Sequence, residues 1–157
     1  MDARPVVDDV IEHWRAQNVS FLPGVNDAEI TAFELERNVT VPDDFRAFYR
    51  RTNGTRAFGC DRDGYDFWAV ADIVPYKDHA WALVFSDYLM ESWYYGIDLT
   101  GIGGFGIGAV YVLGTVDGRA FIVARTFGEF LRCYLNNDER LIPDYAEEYH
   151  ARLLASH

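Results

Sequence analysis

Hydrophobic positions in the first third of the chain recur at helical spacing. Val6, Val7, Val10, Ile11 and Trp14 form one stripe, opened by Pro5. Phe21-Leu22-Pro23-Gly24 interrupts it. Asn26 with Glu29 three residues on reads as a capping box and predicts a second helix through about Arg37. A third helix lies within Val41–Gly54. Pro42 biases Val41 toward an extended backbone and suits the first helical position, where its missing N–H costs nothing. Asp43 and Asp44 fall at the positive end of the helix dipole, and Arg50 and Arg51 at the negative end. Asn53-Gly54 tolerates the left-handed backbone that closes a helix. Phe45, Phe48 and Tyr49 share one face and are expected in the core.

Beyond Gly54 the period changes. Thr55–Gly64 carries breakers (Gly59, Asp61, Asp63, Gly64) and reads as a loop. Asp66–Val70, Trp81–Ser86 and Ser92–Leu99 read as strands, the last with Trp93, Tyr95, Ile97 and Leu99 on one face and Tyr94 on the other. Gly108–Gly114 and Arg119–Ala124 flank Asp117-Gly118, a hairpin signal. Thr126 and Glu129 suggest another capping box, followed by the stripe Phe127, Phe130, Leu131, Tyr134 and Leu135. Pro143 opens a last helix carrying Tyr145, Tyr149 and Leu153. Helices, then adjacent strands, then helices predict an α+β fold: a mainly antiparallel β-sheet with helices from the N- and C-terminal segments packed against it. No repeat or linker divides the chain, so residues 1–157 are expected to form a single domain.

Composition supports a folded core: 50% of the residues are hydrophobic and 16% aromatic in a chain of 157. No apolar run is long enough to span a bilayer, and Met1-Asp2-Ala3-Arg4-Pro5 lacks a signal-peptide pattern. Cys60 and Cys133 form neither a disulfide framework nor a metal-ligand spacing. These features favour a cytoplasmic location, with no membrane partner. The 25 acidic and 14 basic side chains give a formal net charge of −11, which disfavours nucleic acid and favours a basic partner.

Several local patterns suggest chemistry. Gly101-Ile102-Gly103-Gly104-Phe105-Gly106 matches G-x-G-x-x-G, with Asp117 downstream, but β-like sequence follows where the fingerprint needs a helix. Asp61-Arg62-Asp63-Gly64-Tyr65-Asp66 places three carboxylates in a short loop, yet Tyr65 and Asp66 occupy positions where a calcium loop wants a ligand and glycine. His13, His79, His150 and His157 are scattered, and no G-x-S-x-G elbow surrounds Ser86. No catalytic set, metal or cofactor is expected. The segment Asp87–Asp98 alternates carboxylates with Tyr and Trp, a mixture suited to interface anchors.

Three blocks together resemble one family. They are Val41-Pro42 through Thr52-Asn53-Gly54; Leu83 through Leu99; and Gly108 through Gly114, continued by Ala124 through Leu135. In this order they resemble the SUKH superfamily, in its Smi/Knr-like branch, over roughly 26–135. The glycine-rich Thr100–Gly108 insertion departs from that pattern. The resemblance implies a SUKH-like fold and a non-enzymatic role. Many bacterial members look like immunity proteins that bind and neutralise a cognate polymorphic toxin, often a nuclease domain. Eukaryotic relatives are associated with cell-wall regulation and scaffolding, which is the alternative reading; a small-molecule binder is a third. The expected partner is a basic toxin domain, blocked sterically and electrostatically. Its expected contacts are Asp61, Asp63, Asp66, Trp68, Asp87, Glu91, Tyr94 and Asp98, whose carboxylates would meet Lys and Arg while the rings supply buried area.

Overall fold

A computed structural model describes residues 4–156; the readings made on Met1–Ala3 and on His157 lie outside the described residues. The first helix, α1 (Arg4–Ala16), buries its whole stripe of Val6, Val7, Val10, Ile11 and Trp14. In α2 (Asp27–Arg37) the Asn26 side chain accepts from the Glu29 amide and the Glu29 carboxylate accepts from the Asn26 amide, so the expected capping box forms. Asn38 ends α2 in the left-handed conformation.

The third helix is shorter than its sequence signature. α3 runs Asp43–Arg51, and Pro42 is its N-cap, with an extended ψ of 159°. Thr52 leaves the helix extended and bridges to Pro23, its hydroxyl donating to the Leu22 carbonyl. Gly54 therefore does not close the helix. At φ +92°, a Cβ there would lie 2.3 Å from the Phe67 carbonyl oxygen, so glycine is required for the chain to cross the first strand.

Six antiparallel strands make one sheet: β1 (Tyr65–Phe67), β2 (Val74–Tyr76), β3 (His79–Tyr88), β4 (Trp93–Asp98), β5 (Val110–Leu113) and β6 (Phe121–Ala124), in the order β1-β3-β4-β5-β6. β1 pairs with the end of β3, Tyr65 opposite Tyr88, while β2 pairs with its beginning, Val74 opposite Val84. The sequence reading extends β1 to Val70, where the structure has a 3-10 turn over Val70–Asp72. It also omits β2, because Pro75 breaks the pattern; proline is tolerated where a strand lies at an edge.

One sheet face carries Leu83, Phe85, Tyr95, Ile97, Val110, Val112 and Val123 into the main core with α1, α3 and α4 (Phe127–Leu135). Phe45 and Phe127 meet with ring centroids 5.3 Å apart, and Phe85 and Phe130 at 5.2 Å, in edge-on arrangements that favour aromatic pairs. The Thr126 hydroxyl caps α4 through the Glu129 amide, but the Glu129 carboxylate turns to the Arg125 amide and to Arg140, so only half of that capping box forms. The opposite face holds Trp68, Ala82, Val84, Tyr111, Leu113 and Ile122. Tyr149 and Leu153 of α5 (Pro143–Ala155), Phe105 of the glycine-rich loop, and Tyr76 and Trp81 of the β2–β3 hairpin cover it. The result is an α+β domain with both sheet faces covered.

Candidate partner-binding surface

The antiparallel register puts the β3–β4 turn, the β5–β6 turn and the loop before β1 at one end of the sheet. Seven of the eight expected contact residues lie toward this end, with Asp66, Asp87 and Tyr94 abreast in register and Trp68 bonded to Asp87; Asp98 lies at the other. Most of the eight are engaged internally, and the structure corrects the expectation for four of them.

Asp87 is 3% exposed; its carboxylate accepts from the Trp68 indole N–H at 2.6 Å and from the Glu91 amide at 3.0 Å. Trp68 is buried with that bond on one side and the Arg56 guanidinium 4.1 Å from its ring centroid. Asp61 is buried as well. It accepts from the Tyr134 hydroxyl and from the amides of Asp63 and Tyr65, both at 2.9 Å, and burial pushes its pKa up against those bonds. Asp98, fully buried, accepts from the Thr100 amide and hydroxyl at 3.0 and 2.9 Å, and from the Gly101 and Gly103 amides, each at 2.9 Å. None of these four faces solvent. A short carboxylate beside backbone N–H groups forms a turn as readily as it forms a rim, and Asp98-Leu99-Thr100-Gly101 carries that turn signal in its sequence.

The Asp98 contacts also decide the G-x-G-x-x-G pattern. The amides that would face a pyrophosphate already face a carboxylate, and β5 follows where the fingerprint needs a helix. A Cβ on Gly103 would sit 2.6 Å from the Tyr111 hydroxyl and 2.7 Å from Trp81, so the glycine lets the loop lie against the sheet.

Asp66 is half-buried, accepts from the Thr55 hydroxyl at 3.0 Å, and has its pKa raised chiefly by burial. Asp63 and Glu91 are exposed. Tyr94 lies half-buried between Trp68 and Tyr76, with ring centroids 6.1 and 5.8 Å away, and its hydroxyl donates to Glu91 at 3.3 Å. Among the described residues no group of three or more His, Cys, Asp or Glu side chains is placed to hold a metal ion, and no helix is long and apolar enough to cross a membrane.

The sequence reading passes over the two most conspicuous residues at this end, Leu89 and Met90. Leu89, Met90 and Glu91 have φ of +46°, +54° and +68°, three successive left-handed residues without a glycine. Each such residue costs about 1–2 kcal/mol. The turn is nevertheless held: Leu89 N donates to Gly64 O at 2.8 Å, Ser92 N to Tyr88 O at 2.9 Å, and the Ser92 hydroxyl to Leu89 O at 2.8 Å. Asp87 fixes the Glu91 amide. Met90 is 89% exposed and Leu89 52%. The available signal is an apolar pair between two strands, bracketed by Asp87 and Ser92 but with no glycine, asparagine or proline among its neighbours.

No curated protein matches the chain significantly. The sequence profile of the SMI1 / KNR4 family (SUKH-1) matches residues 24–133, from just before α2 into α4, and so takes in every strand of the sheet and the end described above. With 110 of its 157 residues inside that match, on an α+β fold of the expected kind, the chain belongs to the SMI1 / KNR4 family (SUKH-1).

Proposed function

We propose that the chain is an immunity-type protein of this family: it binds a basic toxin domain, of the nuclease class, and blocks it by occupying its charged face, without chemistry of its own. Family membership supports a protein-binding role. The observation that carries the electrostatic part is the charge balance, which local pairing of the cations does not alter. Arg46 and Arg50 reach Asp27, Arg51 reaches Asp8, Arg119 reaches Asp117 and Glu147, Arg132 reaches Asp9, and Arg140 reaches Glu129. Each such pair cancels one charge of either sign, so the formal net charge of −11 stands and the surface carries a net negative field. A field of that sign accelerates encounter with a cationic partner and fixes its orientation. The site of action in this reading is the cytoplasm.

Co-expression provides the test. The partner sought is the basic C-terminal domain of a large secreted protein encoded beside this chain. Cells poisoned by that domain should grow when the chain is co-expressed, and the two proteins should co-purify as a stoichiometric complex. Growth arrest despite equal expression, or turnover of a substrate by the purified chain, would overturn the proposal.

A further inference from the structure

The β3–β4 turn combines features that folding alone does not explain. Three consecutive residues hold left-handed backbones that Leu, Met and Glu disfavour, at φ of +46°, +54° and +68°. A two-strand connection is ordinarily relieved of this by Gly or Asn. Four hydrogen bonds, three within Asp87–Ser92 and one to Gly64 in the loop before β1, hold the backbone in place. What the constraint achieves is presentation: the Met90 side chain is 89% exposed beside Leu89 at 52%. Strained residues that the surroundings over-determine cluster at binding and switch sites. Methionine is a flexible, polarizable side chain suited to filling an apolar pocket.

The surroundings give the partner its chemistry. Leu89 packs on Gly64, which follows the exposed Asp63 in the chain, and Met90 is followed by the exposed Glu91. An apolar tip near carboxylates complements an apolar pocket near cations. We infer that this turn is the docking tip of the molecule, with Met90 seating in an apolar pocket ringed by Lys and Arg on a basic partner protein. The inference rests on the protein-binding reading above and adds the location to it.

In-cell photo-crosslinking locates the contact whatever the identity of the partner. A benzophenone amino acid is placed at position 90 in one variant. In another it replaces Ile107, which is 64% exposed in the loop joining β4 to β5, at the other end of the sheet. A single adduct from position 90, with a protein whose crosslinked segment is rich in Lys and Arg, is the expected result, with none from position 107. The purified partner domain is then titrated with Met90→Leu and Met90→Gly. Met90→Leu should bind within about threefold of the parent; Met90→Gly should bind at least about tenfold more weakly while melting no lower, since glycine removes a side chain and relieves the backbone together. Adducts from position 107 alone or from both positions, an acidic partner, or Met90→Gly binding within about twofold would overturn the docking tip while leaving a protein-binding role intact. Absence of any adduct from either position would count against the protein-binding reading and the docking tip together.

Discussion

Asp44 on α3 and Gly128 on α4, 84 residues apart in sequence, are joined by a hydrogen bond of 2.9 Å from the Gly128 amide to Asp44 Oδ2. The other carboxylate oxygen accepts from the Phe45 amide at 2.7 Å. One side chain thus serves the positive ends of two helices, one from each helical segment of the chain. Thr126 caps the next amide of α4, that of Glu129. Asp44→Ala should lower stability by about 1 kcal/mol, and Asp44→Asn by less, because an acceptor remains while the attraction of the dipoles for charge is lost. Urea denaturation of the two variants measures both.

A second cross-chain contact joins Trp14, Tyr134 and Asp61. The Trp14 indole donates to the Tyr134 hydroxyl at 2.8 Å, and that hydroxyl donates to Asp61. Tyr134→Phe should cost about 1–3 kcal/mol by leaving a buried donor and a buried acceptor unmatched. The pKa of Asp61, already raised by burial, should rise further because the Tyr134 bond lowers it. A raised folded-state pKa means that the stability it contributes is present below the unfolded value of about 4 and is lost as pH climbs through the folded one. The variant's deficit should therefore be larger at neutral pH than at acid pH, which NMR titration and denaturation series can follow.

Asp98→Ala removes the acceptor for three amides and a hydroxyl at the start of the glycine-rich loop. The expected cost is about 3 kcal/mol, since several buried hydrogen bonds to a charge are lost together. Amide exchange at Thr100, Gly101 and Gly103 should accelerate before that of β5.

The free edge of β6 is sealed by α5, where His150 Nδ1 accepts from the Ile122 amide at 3.0 Å. That bond requires a neutral ring, and burial, followed by the nearby Arg119, lowers the His150 pKa. The unfolded chain therefore takes the proton first, so stability should fall as pH drops below about 6.5 and level off beneath the folded pKa. His150→Ala should be less stable at neutral pH and lack this part of the slope in a denaturation series.

Charge reversal separates surface from interior at the β3–β4 end. The double variant Asp63→Lys, Glu91→Lys should fold, but associate with the basic partner about tenfold more slowly and with a weaker salt dependence. Asp61→Lys should fail to fold, because it places a cation against the Tyr134 hydroxyl and two amides that need an acceptor. Stopped-flow association over a salt series and circular dichroism read the two outcomes.

Periodicity and capping made the helices and every strand but β2 legible. The stripe in α1, the capping box of α2 and the aromatic face of α3 are local patterns; the stripe and the aromatic face are buried and the box forms, as that reading expects. Alternation along β4 likewise divides Tyr95 and Ile97 from Tyr94. β2 was hidden because a strand of three residues containing proline has no period to display. The expected contact residues fared less evenly. Composition identifies carboxylates and rings without saying what they touch, so Asp61, whose carboxylate meets Tyr134 from a distant helix, reads the same as Asp63, which faces solvent.

The chain's own pattern determined its class, its helical ends and its acidic character, because propensity, capping and net charge depend on near neighbours or on simple counts. Tertiary structure alone decided which carboxylates are buried, which glycines admit a crossing backbone, and that Leu89–Glu91 is held in a left-handed turn. Each of those depends on atoms brought together from distant segments: Tyr134 against Asp61, Phe67 against Gly54, Gly64 against Leu89. A hydrogen-bond partner distant in sequence, and the burial of a lone polar side chain, are properties of the packed molecule, and no local pattern encodes them.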